Sequence, residues 1–257
     1  RYCYVEHNGL SLECVENISI VKNIVNKFVI SRYDSFMSVS KGSCVLFEKL
    51  MGLNVGDVKV VYNPVLDNTY YDKLSKEPYC DWLKNKIMPT MVAAGAFSEI
   101  KAHLVLFEAI RIANETTPVR LVLFGKGHLQ KNYEKWIAEN HMQERILLAG
   151  HTSNLPAEIK KSDAFVISSQ KESFSVVLVE AMAADILVIS TDCPYGPPEL
   201  LQYGKYGVLV PVGDSKAMAQ AIVNQVNNPR KPAPKEAWTP FALEKVVFAY
   251  EKAIGLV

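Results

Sequence analysis

The chain has 257 residues, 49% of them apolar, with 28 basic and 27 acidic side chains and a formal net charge of +1. That is room for one large or two modest globular domains, and a charge so balanced leaves no electrostatic footprint for nucleic acid. Five scattered cysteines (Cys3, Cys14, Cys44, Cys80, Cys193) show no CxxC or paired spacing, so reduced thiols are expected, no zinc site is indicated, and no apolar run approaches the ~18 residues of a membrane span.

Residues 2–5 read as a short strand ending in Glu6-His7-Asn8. Val21, Ile24, Val25, Phe28 and Val29 then repeat at helical spacing, with Lys22, Asn23, Asn26 and Lys27 on the other side. Residues 36–39 predict a second strand, 44–50 a helix and 58–62 a third strand closed by Asn63-Pro64. This βαβαβ alternation implies parallel strands covered by helices. Residues 66–88 mix charge, aromatics and proline and read as an irregular linker with a short helix at 80–85.

A second α/β unit starts near Thr90. Residues 91–94 are a strand, the turn Gly95-Ala96-Phe97-Ser98-Glu99-Ile100-Lys101-Ala102-His103 follows, and a helix begins at Leu104. Residues 119–124 are a buried strand running into Gly125-Lys126-Gly127. Glycines there permit close approach of a flat ligand such as a base, and a plain glycine turn fits equally. Gln130 stands where a dinucleotide fingerprint needs its third glycine. Residues 145–149 predict the next strand, ending in Gly150-His151-Thr152; His128 and His151 read as loop residues.

The most informative stretch is 168–199, SSQKESFSVVLVEAMAADILVISTDCPYGPPE. The apolar strand 164–167 stops at Ser168-Ser169, and residues 176–184 read as a buried helix that Ser173 or Ser175 can cap. Its free N–H groups and positive dipole end suit an anion such as a phosphate. Glu180 is the one charge in that helix, and a carboxylate buried without partners costs several kcal/mol, so partners are expected. Helical Cβ direction aims Glu180 back toward the anion pocket, where it could accept from sugar hydroxyls; a surface glutamate is the bland alternative.

After a strand at 187–191, Gly196-Pro197-Pro198-Glu199 opens a helix whose start borders the same cleft. Residues 207–212 form the next strand, Ser215 can cap a helix to 226, residues 231–234 are a proline-rich break, and 238–254 is a terminal amphipathic helix.

Glu172 and Glu180, with seven residues between them, followed by Ala181-Met182-Ala183, resemble the Glu-x7-Glu signature of the retaining glycosyltransferases of the GT-B fold, group 1 or family 4 type. The resemblance runs over nearly the whole chain. It implies an α/β protein of Rossmann-like parallel sheets with an incomplete N-terminal domain, either a fragment or an unusually short member. The implied layout is residues 1–65 as the end of the N-terminal domain, 66–89 as linker, 90–235 as the nucleotide-sugar domain and 236–257 as a helix packing back on the first domain.

By that resemblance Glu172 lies at the donor sugar and Glu180 holds the ribose. The backbone amides of Ser173, Phe174, Ser175 and Val176 hold sugar and diphosphate oxygens, and the end of the strand at 145–149 with the loop after it sits near the base. His7 matches a histidine that faces donor and acceptor, although a lone histidine after a strand is otherwise a loop residue. Lys101 falls on the lysine of a motif in which an arginine and a lysine grip the diphosphate; otherwise it is a solvated surface lysine. Ala96 occupies the arginine position and Ala102 that of a glycine. Pro198 replaces an arginine and Asp185 a glycine just past the helix.

The implied activity moves a hexose or N-acetylhexosamine with retention from a nucleotide-diphosphate sugar, with UDP the expected carrier, to a glycan or lipid-linked acceptor in surface polysaccharide synthesis. No Asp-x-Asp occurs in the chain, so no metal and no cofactor beyond the donor are expected. The expected location is the cytoplasm, with peripheral association at the inner membrane face left open. A same-fold nucleotide-sugar epimerase and a non-catalytic nucleotide-sugar binder remain as alternatives, the latter suggested by Ala96.

Overall fold

Apolar runs that alternate with amphipathic ones build two parallel sheets in the computed structural model, which describes residues 3–6 and 32–257. His7 and the helical repeat at 21–29 lie outside the described residues. The smaller sheet holds β1 (Cys3–Glu6), β2 (Ser35–Ser38) and β3 (Val58–Val60), in the order β1-β2-β3. Helix α1 (Lys41–Met51) joins β2 to β3 and starts three residues before its apolar pattern does. The Ser40 hydroxyl accepts from the Ser43 N–H at 3.2 Å and caps it, and Gly52 ends it at φ 68°.

The linker stretch is more ordered than its composition suggests. Asp67 caps α2 (Asn68–Leu74) by accepting from the Tyr70 N–H at 2.7 Å, and α3 spans Asp81–Lys84. Sequence periodicity misses α2 because seven residues carry fewer than two full apolar repeats.

The larger sheet has six parallel strands in the order β6-β5-β4-β7-β8-β9: β4 Thr90–Ala94, β5 Arg120–Phe124, β6 Ile146–Gly150, β7 Ala164–Ile167, β8 Val188–Thr191 and β9 Val208–Val210. Its central strands are apolar on both sides, as burial beneath two helix layers requires. Met91, Ala93, Leu121 and Leu123 face α4 (His103–Ala113) and α9 (Ser215–Asn227) through Leu106, Phe107, Ile110, Met218 and Ile222. Val92, Val122, Phe165 and Val188 face α6 (Leu155–Lys160) and α7 (Val176–Ala183) through Ile159, Leu178, Val179 and Met182. Helix α5 (Gln130–Glu139) lies between β5 and β6, and α8 (Gly196–Leu200) between β8 and β9. Strand order reverses between β4 and β7, so the loops after these two strands diverge and leave a crevice at their carboxyl ends, the place where open α/β sheets bind ligands.

Two expected helix details change. Asp214, not Ser215, caps α9, its carboxylate accepting from the Ala217 N–H at 2.9 Å. The terminal helix is broken into α10 (Lys235–Trp238), a 3₁₀ turn at Thr239–Phe241 and α11 (Leu243–Ile254), because Pro240 has no N–H to continue a helix. Val246 and Ala253 of α11 pack on Met37 and Val61 of the small-sheet region, and the Lys59 ammonium donates to the Ala253 carbonyl at 2.6 Å.

Candidate active site

The strand-order reversal brings two loops together that are distant in sequence. The loop after β4 carries Lys101, the loop after β7 carries Glu172, and the Lys101 ammonium meets Glu172 Oε1 at 2.6 Å. Ser169 Oγ donates to the same oxygen at 2.9 Å, so the carboxylate is held from two sides. The loops are also tied by main chain: the Ser168 hydroxyl donates to the Lys101 carbonyl at 2.8 Å and the Gln170 N–H to the Ile100 carbonyl at 2.8 Å. The Lys101 and Glu172 side chains are 25% and 11% exposed, enough for a ligand to reach and little enough to strengthen a charge contact.

Helix α7 begins beside this pair. Ser175 is its N-cap by backbone geometry, but neither Ser173 nor Ser175 supplies the side-chain cap that the sequence suggests. The Ser175 hydroxyl is buried and has no hydrogen-bond partner among the described residues. The first N–H groups of α7 therefore carry no side-chain cap.

Glu180 lies one turn further on and is half-buried. Burial pushes its carboxyl up to about 7, with the Lys73 charge on α2 opposing that rise. The Tyr70 hydroxyl donates to the Glu180 main-chain carbonyl at 2.8 Å, which fixes α2 against α7. Among the described residues, none donates a hydrogen bond to the Glu180 carboxylate, and the Lys73 charge is the one influence that favours its ionised form.

Gly125 and Gly127 follow β5, and Gly150 ends β6. A Cβ on Gly125, at φ 147°, would sit 1.9 Å from the Gly95 carbonyl oxygen, and one on Gly127 would sit 2.4 Å from that of Phe97. These glycines are required first by the contact of two loops, which the Phe97 N–H to Lys126 carbonyl bond at 3.0 Å closes. Ala96 is exposed at the mouth of the same loop. Ala102 adopts φ 47° and Asp185 φ 62°, left-handed conformations that explain why glycine suits both positions. Lys126 is exposed, and Lys171 lies 5.8 Å from the Tyr195 ring centre.

Sequence reasoning missed Tyr62 and gave Glu199 no role. The Tyr62 hydroxyl donates to Glu199 Oε1 at 2.7 Å and the Lys41 N–H to Oε2 at 2.8 Å. A glutamate just inside a Gly-Pro-Pro turn signals only a helix start, and its partners lie 137 and 158 residues away. No group of three or more His, Cys, Asp or Glu among the described residues is placed to hold a metal ion, and none of their helices is long and apolar enough to cross a membrane.

The same architecture recurs in Anabaena Alr3699/HepE, solved in complex with UDP-glucose: TM-score 0.82 at 22% identity, over 99% of this chain and 72% of that one. A Campylobacter jejuni N-acetylgalactosamine-N,N'-diacetylbacillosaminyl-diphospho-undecaprenol 4-alpha-N-acetylgalactosaminyltransferase is 29% identical over 205 residues, covering 78% of this chain and 54% of that protein. The Bacillus anthracis N-acetyl-alpha-D-glucosaminyl L-malate synthase is 25% identical over 201 residues, 76% of this chain and 52% of that protein. The chain thus spans about half the length of these curated relatives. The fold is that of the GT-B glycosyltransferases. The family model for glycosyl transferases group 1 matches residues 88–228, more than half the chain and the whole stretch from β4 through α9, and the chain belongs to that family.

Proposed function

We propose that this chain is the donor-binding part of a retaining glycosyltransferase that uses a nucleotide-diphosphate sugar, with UDP as carrier. The sugar is a hexose or N-acetylhexosamine, and the acceptor is a glycan or lipid-linked sugar in polysaccharide synthesis. The observation that carries this reading is the meeting of Lys101 and Glu172 beside the uncapped start of α7. A diphosphate leaving group gains charge as the anomeric bond breaks, and a preorganised ammonium and helix amides stabilise that charge where it develops. Lys101 and the amides of residues 173–176 take this role. Once the diphosphate engages Lys101, the Glu172 carboxylate is released to accept from sugar hydroxyls. The Glu180 carboxylate, which no described residue hydrogen-bonds, takes the ribose hydroxyls, and Gly125 and Gly127 keep side chains away from the base.

The names of the two relatives support a sugar-transferring role, and the diphospho-undecaprenol in the Campylobacter name supports a lipid-linked acceptor reached from the membrane surface. Catalysis by the whole protein includes its acceptor side, to which His7 is assigned by motif. The test is titration with UDP followed by transfer from a panel of UDP-sugars, with the product anomer read by NMR. Saturable UDP binding that Lys101→Met weakens, and an anomer matching the donor's, are the expected results; no UDP binding by the wild type overturns the reading. The exposed Ala96 in place of a diphosphate-gripping arginine favours one second reading, a nucleotide-sugar binder without turnover. Tight UDP binding with neither transfer nor hydrolysis in the full-length protein would favour it.

A further inference from the structure

Tyr62 follows β3, and its neighbour Val61 is held to the small sheet through the Ser38 carbonyl at 3.0 Å. Its ring nevertheless packs on the donor half at Phe174, 6.0 Å between centroids, and meets Phe241 of the C-terminal segment edge-on at 5.2 Å. Its hydroxyl donates to Glu199, whose other oxygen accepts from the first N–H of α1. One carboxylate on α8 therefore collects two donors from the small-sheet half. Burial, and then the bond to Glu199, push the phenol's pKa up, so the hydroxyl keeps the proton it donates.

The far end of α8 touches the donor loop. The Gly196 N–H donates to the Glu172 carbonyl at 2.8 Å, and Glu172 pairs with Tyr195 as a parallel bridge. Three bonded steps thus run from Tyr62 through Glu199 and a five-residue helix to the backbone of Glu172. The junction has no slack. A Cβ on Gly42 would lie 2.7 Å from the Tyr195 ring, and one on Gly196 would lie 2.9 Å from the Phe174 Cα. Tyr195 is held at φ 83° and ψ −97°, a conformation that a residue with a Cβ rarely takes, as expected where surrounding contacts over-determine the chain.

We propose that Tyr62 is a positioning residue for the sugar end of the donor site, and that its bond to Glu199 couples the small sheet to the placement of Glu172. The inference deepens the donor-site reading above and rests on it for what Glu172 holds. Movement of the small sheet against the large one strains the Tyr62–Glu199 bond, and α8 passes that strain to the Glu172 main chain. Glu180 lies off this path and the Tyr62 ring packing on Phe174 does not depend on the hydroxyl, so the sugar contact responds more than the nucleotide contacts do.

Amide hydrogen exchange on the intact chain, comparing the wild type with Tyr62→Phe, tests the coupling. Phenylalanine keeps the ring packing and removes only the hydroxyl, and Glu199→Gln serves as a second variant if folding suffers. Peptides spanning 168–176 and 193–200 should exchange about tenfold faster, the factor expected for losing one hydrogen bond to a charged group. Titration should show UDP-N-acetylglucosamine losing about tenfold in affinity and UDP less than about twofold, because the sugar contact depends on that bond more than the nucleotide contacts do. Exchange at 168–176 unchanged in both variants, with faster exchange confined to 41–44, would make the bond a local staple and overturn the proposal. Failure of the wild type to bind UDP would overturn the donor-site reading instead, and the exchange comparison would still decide the coupling.

Discussion

Lys101 and Glu172, 71 residues apart in sequence, form a 2.6 Å ion pair across the two loops that flank the strand-order reversal. Each charge satisfies the other, so a diphosphate that binds Lys101 has to compete with Glu172 for the ammonium. Glu172→Gln should therefore leave UDP affinity equal or higher while abolishing sugar transfer. Lys101→Met should weaken UDP and lower the transfer rate by 2–4 kcal/mol in barrier, roughly 30- to 1,000-fold. Calorimetry and a transfer assay on both variants separate the two roles; loss of UDP binding in Glu172→Gln would show that the carboxylate is not a competitor.

Glu180 links pH to stability with a definite sign. Its carboxyl is raised from 4.5 to about 7 by burial, so the folded state holds the proton more tightly than the unfolded chain. Stability from this group falls as pH rises from about 4.5 to about 7, and the full cost stands above that. Glu180→Gln should raise the melting temperature at pH 8 and leave it unchanged at pH 4. It should also lower uridine nucleotide affinity and flatten its pH dependence, which thermal scans and titrations at pH 6 and pH 8 would check.

Ala102 and Asp185 test backbone strain directly. A residue with a Cβ in the left-handed region costs about 1–2 kcal/mol, and aspartate tolerates it better than alanine does. Ala102→Gly should stabilise the protein by about 1 kcal/mol, and Asp185→Gly by a few tenths, once the extra freedom of glycine in the unfolded chain is subtracted. Denaturant unfolding gives both values, and the reverse order would contradict the argument.

Gly125→Ala should destabilise the fold by more than about 2 kcal/mol even without nucleotide, because overpacking here would push a Cβ into a backbone carbonyl. Ala at Gly213, where a Cβ meets nothing within 4 Å, is the control and pays only for φ 79°. Comparable losses at the two sites would mean that the contact of the 95–97 and 125–127 loops is not what demands glycine.

Ala96→Arg should place a guanidinium at the crevice mouth without steric cost, since the residue is exposed. A charge-assisted hydrogen bond of about 1.5–3 kcal/mol predicts at least about tenfold tighter UDP binding. A matching rise in transfer would show that the native site works without its strongest grip. No gain in affinity would place another cation, Lys126 or Lys171, in that role.

The sequence alone determined the α/β class, the strands of the large sheet to within a residue or two, and Glu180 as the one charge of an apolar helix, while the family resemblance singled out Glu172 and Lys101. That much is local: strand periodicity, turn chemistry and the spacing of two glutamates on one turn and helix. Whether Ser175 caps its helix, why Gly125 must be glycine, and what Tyr62 and Glu199 do were decided only by tertiary structure. A side-chain cap depends on a rotamer, a missing Cβ on the loop opposite, and the Tyr62–Glu199 bond on the meeting of segments 137 residues apart. Propensity and spacing describe a chain's own neighbours; the Lys101–Glu172 pair arises from the strand-order reversal within the large sheet, and the Tyr62–Glu199 bond from how the two sheets pack.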